Sequence, residues 1–289
     1  MMPLHEVKTG SEKKDSCCIL IPFHHREDLL IPLLKHLKQF SVVVVDDGIT
    51  QSDWRYWQST HPHLDCVRTK GNSGFTKAVN CGLQRVEKLG FRHVLLLNDD
   101  AWLTVEDITL LIQQAGPKRF VSPVIESKGN RFYGVRVYSW GLVKMNQSPS
   151  KKIDALLGTC LLMPSYLRFD VRFHHGFEDL HLTMTSNNMG FELLLMQDVI
   201  CTHIGGASLA SQSAQGLRFS VYGHLCLYDS LRKGPIIWSL YLIKTILQNE
   251  TILFRVKSIN SIHQGVLDWV WSAIAARIAS SKAGSSNIK

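Results

Sequence analysis

His93-Val94-Leu95-Leu96-Leu97-Asn98-Asp99-Asp100 is a short apolar run that stops abruptly at three oxygen-bearing side chains. Ser41-Val42-Val43-Val44-Val45-Asp46-Asp47-Gly48 repeats that form upstream with β-branched residues. Runs without polar alternation suit strands covered on both faces. Between and around them the spacing changes to a helical one. Leu30, Leu33, Leu34, Leu37 and Phe40 form one stripe, and Pro32 requires that helix to begin close to Glu27 or Asp28. Phe75, Ala78, Val79, Val86 and Leu89 form another, stopped by Gly90. Residues 17–21 read as an opening strand ended by Pro22, residues 53–59 as a weaker helix, and residues 64–69 as a further strand. Thr104 with Asp107 resembles a capping box opening a helix to about Ala115. Strands alternating with helices predict a mostly parallel sheet with helices on both faces, whose ligands bind outside the carboxyl ends of the strands. Both acidic tips fall there.

From Phe120 the pattern becomes irregular. Residues 132–138 read as an antiparallel strand, 145–152 as a polar loop, 159–163 as a buried strand and 179–189 as a helix. Residues 192–196 and 199–203 read as two short strands, and beyond Ser208 the chain looks helical to about Ser280. This half is expected to face the second substrate.

Composition narrows the function classes. Of 289 residues, 45% are hydrophobic and 19% charged, which excludes a disordered or fibrous chain. Lys and Arg number 32 against 24 Asp and Glu, a net +8 that permits an anionic partner. The basic residues are dispersed and form no recognised nucleic-acid module, so no nucleic-acid partner is expected. The seven cysteines are scattered without a metal-ligand spacing and read as reduced thiols. Residues 1–16 are polar, without the apolar core of a secretory signal, which predicts a cytoplasmic protein. No stretch approaches the roughly 18 apolar residues of a membrane span.

Four constellations can carry chemistry. Asn98-Asp99-Asp100 offers hard oxygen ligands for Mg²⁺ or Mn²⁺ completed by substrate phosphates, or is simply a polar turn. Asp46-Asp47-Gly48 can accept hydrogen bonds from a base or ribose, or is an Asp-Gly turn. Gly71-Asn72-Ser73-Gly74-Phe75, followed by Lys77, brings backbone and a helix N-terminus close to a ligand, yet matches neither the Walker pattern nor GxGxxG. Glu178-Asp179 holds either a general base or an acidic helix start. His203, before Gly205 and Gly206, is a metal ligand, a phosphate contact or a structural histidine.

Taken in order, these segments resemble family 2 glycosyltransferases of the GT-A fold, particularly the rhamnosyltransferase-like branch acting on bacterial surface polysaccharides. The likeness spans roughly residues 17–208. It rests on Ile19 to Phe23 with its Pro22, Val42 to Gly48, Asn72-x-Gly74-Phe75-x-x-Ala78-x-Asn80-x-Gly82, Leu97 to Asp100 at the DxD position, Gly158-Thr159-Cys160-Leu161-Leu162, Phe177-Glu178-Asp179 and His203-x-Gly205-Gly206-x-Ser208.

The resemblance implies an α/β protein with the GT-A nucleotide-diphospho-sugar transferase fold, a Rossmann-like, mostly parallel sheet flanked by helices, with a C-terminal helical extension. Its implied parts are a flexible leader (1–15), a glycosyltransferase domain (16–210, divided into a nucleotide-sugar half, 16–118, and an acceptor half, 119–210), a helical region (211–280) and a flexible tail (281–289). It implies inverting, metal-dependent transfer of a sugar from a UDP- or dTDP-linked donor to a hydroxyl of a glycan or lipid-linked acceptor in surface polysaccharide biosynthesis. Pro22, Asp46, Asp47, Asn72, Gly74, Lys77, Asn98 and Asp99 would then serve the donor, and Asp100 with His203 the Mg²⁺ or Mn²⁺. Gly158, Thr159 and Glu178 would serve the acceptor, with Asp179 as the base. Asn98 stands where many relatives have aspartate, and His181 and Thr185 stand where they have an acid and an arginine. These departures predict weaker metal binding or altered substrate preference, and motivate the alternative of a catalytically degenerate nucleotide-sugar-binding partner of a polysaccharide assembly complex.

Two amphipathic stretches close the chain, Pro235 to Leu247 and Ile262 to Ile278, the latter with Ile262, Val266, Val270, Trp271, Ile274 and Ile278 on one stripe. Such stripes pack onto the main domain, form a homodimer contact, or, with nearby aromatic and basic residues, dock on the inner face of the cell membrane.

Overall fold

Strand β1 (Cys17–Phe23) is apolar along its length because helices cover both of its faces. In the computed structural model, which describes residues 17–48, 51–61, 64–138, 143–149, 152–173, 176–204, 214–230 and 262–271, the first half alternates strand and helix. The order is β1, α1 (Glu27–His36), β2 (Val42–Asp46), α2 (Gln51–Thr60), β3 (Asp65–Arg68), α3 (Phe75–Lys88) and β4 (His93–Leu97). There follow β5 (Ala101–Trp102), α4 (Val105–Gln113), β6 (Arg119–Ser127), β7 (Asn130–Phe132), β8 (Val135–Val137), β9 (Val143–Met145), β10 (Cys160–Pro164), α5 (Glu178–Asn188), β11 (Glu192–His203), α6 (Ala214–Ser230) and a helix over residues 262–271, here α7.

Side-chain alternation divides the core into two layers. Ile19, Ile21, Val44, Leu95 and Leu97 face α1, α2 and α4, while Cys18, Leu20, Val43, Val45, Val94 and Leu96 face α3 and α5. One sheet in the order β3-β2-β1-β4-β10-β6-β11-β5, with β7 paired to β6, runs through both halves of the chain. Its first four strands are parallel, β10 runs against β4 and β6, and β11 runs parallel to β6. The ends of β1, β2, β4 and β11 and the start of β10 therefore share one edge. This is the mostly parallel sheet flanked by helices that the sequence predicts. The Thr104 hydroxyl accepts from Asp107 N–H at 3.0 Å, so Thr104 caps α4 as the first half of the expected box.

Several elements differ from expectation for identifiable reasons. β1 continues through Pro22, where pairing with β4 has already ended at Leu20, so the missing N–H interrupts nothing on that side. Pro32 is accommodated one turn inside α1, whose start at Glu27 is as expected. β6 was not expected at all, because Pro123 stands in it; Pro123 lies opposite Met196, where β11 shifts register before Ile200. That same irregularity makes one bulged strand of what reads as two. Residues 132–138 divide instead into β7 and β8, because Gly134 takes φ +74° between them. All seven cysteines are free thiols.

The described part of the C-terminal region packs on the main domain. Tyr222, Cys226 and Leu227 of α6 join Phe173, Leu180 and Met184 in a third apolar cluster. α7 packs Ile262 and Val266 on Val221 and Leu225 of α6, and Arg218 grips Asp268 at 2.6 and 3.0 Å. The buried face of α7 is rotated from the expected stripe: Trp269 turns inward while Val270 and Trp271 are exposed. Pro235 to Leu247, the leader and the tail lie outside the described residues. Among the described residues no helix is long and apolar enough to cross a membrane.

The α3 face depends on Gly82, where a Cβ would lie 2.4 Å from Leu20 Cδ1 and 2.5 Å from Val45 Cγ2. Gly82→Ala is expected to destabilise the fold by about 1 to 3 kcal/mol through overpacking, despite the better helix propensity of Ala. The shift of the urea unfolding midpoint measures it.

Candidate active site

Segments distant in sequence meet because β10 runs against β4. The register sets Cys160 opposite Leu97, and Asn98 N–H donates to Thr159 O at 3.0 Å. Gly158 and Thr159 thus lie beside the acidic tip. β11 ends at the same edge: His203 pairs with Ala101, and its Nε2 lies 3.1 Å from Asp100 Oδ1. Burial, and then the charge of Asp100, push the Asp99 carboxyl up to about 6, against the His24 N–H and the charge of Arg26.

Glu178 and Asp179 begin α5. Gly158 N–H donates to Asp179 Oδ2 at 2.7 Å and Leu180 N–H donates to Oδ1 at 2.8 Å. A Cβ on Gly158 would lie 2.9 Å from Asp179 Cβ, so a larger residue there would displace the acid. Burial raises the Asp179 carboxyl, and the N–H groups of Gly158 and Leu180 oppose the rise. Glu178 is 7% exposed, its Oε2 has no hydrogen-bond partner, and burial beside the Asp179 charge pushes its carboxyl up to about 8.

At the end of β2 the carboxylates organise backbone. Asp47 Oδ1 accepts from Ser73 N–H at 2.8 Å and from the Ser73 and Thr69 hydroxyls, and Oδ2 accepts from Gly74 N–H at 2.9 Å. This bonding pins the loop in which Gly71, Asn72 and Gly74 all take positive φ. Asp46 is fully buried, accepts from Gly48 N–H at 2.9 Å and lies 3.6 Å from Arg68 Nε.

The family model described as Glycosyl transferase family 2 matches residues 18–164, half of the chain, from β1 to the end of β10. The chain belongs to glycosyl transferase family 2. Among solved structures, GalNAc-T7 with UDP, GalNAc and Mn²⁺ is similar at TM-score 0.57 and 14% identity, over 74% of this chain and 47% of that one. The chain thus spans about half the length of GalNAc-T7. Residues 1–349 of S. aureus TarS with UDP-GlcNAc are similar at TM-score 0.56 and 15% identity, over 89% of this chain and 81% of that one. At such identities the likeness is one of fold, here GT-A. A comparison with the curated proteins finds no match.

In this family 2 member the expected site residues are not all together. Asn98, Asp99, Asp100, His203, Gly158, Thr159 and Asp179 gather at one edge, with Pro22 near the end of β1. Lys77 is exposed on the flank of α3, lining a groove of about 420 Å³ with Asn80, Gln84 and Arg168. His24, His25 and Arg26 follow β1 and were not anticipated. A Cβ on Gly48 would lie 2.4 Å from His24 Nδ1 and 2.8 Å from His25 Nε2, which places both rings over the end of β2. Their signal in the sequence is three consecutive basic residue types directly after a buried strand.

Among the described residues no group of three or more His, Cys, Asp or Glu side chains is arranged to hold a metal alone. Asp100 and His203 form a pair, and the buried Oδ1 of Asn98 at the same strand tip has no hydrogen-bond partner. A carboxylate, an imidazole and an amide oxygen fit a divalent cation that takes its other ligands from substrate phosphates and water.

Two measurements test this geometry. Asp47→Ala leaves the loop N–H groups without their charged acceptor and is expected to cost about 2 to 3 kcal/mol of stability in urea titration. Glu178 keeps its proton to about pH 8 in the folded chain and to about 4.5 when unfolded, so the folded state holds the extra proton between those values. Its contribution therefore lowers stability as pH rises through that window. Glu178→Gln should be more stable than the parent at about pH 8 and lose that advantage towards about pH 4, read from urea titrations at stepped pH.

Proposed function

We propose that the protein is an inverting glycosyltransferase moving a sugar from a UDP- or dTDP-linked donor to a hydroxyl of a glycan or lipid-linked acceptor. The observation that carries this reading is the β4–β10 register, which with the Gly158 to Asp179 hydrogen bond sets a half-buried carboxylate beside the acidic strand tip. UDP in the GalNAc-T7 structure and UDP-GlcNAc in that of TarS support a nucleotide donor. The rhamnosyltransferase-like branch and a role in surface polysaccharide synthesis on the cytoplasmic side of the membrane rest on the motifs in the sequence.

The chain's own residues divide the work. The Asp47-pinned loop, the end of β1 and Asn98-Asp99 form the donor side. Asp100 and His203 would hold Mg²⁺ or Mn²⁺, which when bound supplies positive charge against the departing diphosphate. Asp179 takes the proton of the acceptor hydroxyl as that oxygen attacks the anomeric carbon from the face opposite the leaving group. Burial raises its basicity, while the Gly158 and Leu180 N–H groups oppose that rise and aim the carboxyl. Glu178, still protonated at neutral pH, presents an acid group to the acceptor.

A second reading is nucleotide-sugar binding without turnover, favoured by Asn98 in the DxD position and by His181 and Thr185 in the helix after Asp179. Thermal melts with nucleoside diphosphates and nucleotide sugars, with and without Mn²⁺ or Mg²⁺, separate the two when paired with assays of nucleotide release. Donor binding raises the melting temperature. Asp100→Ala should remove the metal-dependent part of that rise. Asp179→Asn should keep the rise but lose at least about a hundredfold in turnover. A rise without turnover in the parent establishes the binding reading.

A further inference from the structure

Asp179 is held on one side by Gly158, two residues before β10, and its other support comes from beyond the family match. Phe177, directly before Glu178, takes the left-handed conformation at φ 71° and follows Gly176 at φ 82°. A non-glycine residue holds that conformation only where its surroundings impose it. At the cap of α5, Phe177 offers only a ring, so its side chain can act on the turn through packing alone. The ring lies on Gly223 of α6, where a Cβ would come within 2.5 Å of Phe177 Cδ2 and 3.3 Å of Gly176 O. His224 lies against the same ring with centroids 4.1 Å apart. Polar contacts fasten α6 to the preceding segment: Tyr222 Oη donates to Arg172 O at 2.6 Å, and Arg172 reaches Ser230 Oγ at 3.2 Å and Asp229 at 3.7 Å.

We propose that α6 is a positioning element for the base, in which Gly223 and His224 form the seat of the Phe177 ring and that seat sets where Asp179 meets Gly158. This rests on Asp179 as the base. Gly223 and His224 touch neither substrate nor reacting atoms; they act through the turn. Asp179 bridges the start of α5 and the start of β10, so a displacement of the turn is taken up at the 2.7 Å bond from Gly158 N–H. A shift on the order of 1 Å in a reacting group costs about a hundredfold in rate. α6 thus acts on the base from outside the site, and α7 supports α6 through Gly265, where a Cβ would lie 2.7 Å from Arg218 O.

The test is amide hydrogen exchange at Gly158, which needs no knowledge of donor or acceptor. Asp179→Ala removes the acceptor and calibrates the readout. Gly223→Ala should speed Gly158 exchange about tenfold, with the β4 amides of Val94 to Leu97 unchanged. His224→Ala, which removes a ring without adding bulk, should also speed exchange and serves if Gly223→Ala does not fold. If α6 were only a structural cover, exchange would quicken within α6 while Gly158 stayed protected in both variants, and that result overturns the proposal. Turnover surviving in Asp179→Asn would instead refute the base assignment, a failure that exchange at Gly158 does not register.

Discussion

The pairing of β10 against β4 is the constraint from which the site follows. Parallel strands gather loops at their carboxyl ends, but a parallel neighbour would deliver its amino end to the far side. Because β10 runs in reverse, the residues before it, Gly158 and Thr159, arrive where Asn98 to Asp100 leave. β6 and β11 then continue on the other side of β10, which brings His203 back to Asp100. One reversed strand joins residues from both halves of the chain on a single sheet.

Around this edge the protein keeps acids under conditions that disfavour their charge. Asp99 is pushed towards 6 and Glu178 towards 8, while Asn98 Oδ1 and Glu178 Oε2 are buried without partners. Groups left in this state destabilise the folded chain and are ready for a ligand that brings charge or hydrogen bonds. Asp47 is the opposite case: its carboxylate is filled by the Ser73 and Gly74 N–H groups, so it fixes the shape of that loop.

The first half of the fold was legible because its strands are buried on both faces and its helices repeat every 3.6 residues. β6 was hidden because Pro123 argues against a strand, and only the irregularity of β11 opposite it shows why proline fits. Register was illegible in principle. Sequence places Asp179 in a motif, but its hydrogen bond to Gly158 depends on how β10 and α5 meet in space. The same holds for the ring of Phe177 on Gly223, since nothing local to either residue names the other. Residue type also misled on α7, where adjacent Trp269, Val270 and Trp271 all suit a buried face and only packing selects the first.

The reversed strand also orders events during synthesis. When β4 leaves the ribosome it can pair with β1, but its other edge stays open until the whole stretch through β5 to β9 has been made and β10 arrives. That edge is apolar and carries unsatisfied backbone groups, the kind of surface that recruits chaperones or other nascent chains. The strand that assembles the site is thus also the one that ends the chain's most aggregation-prone interval.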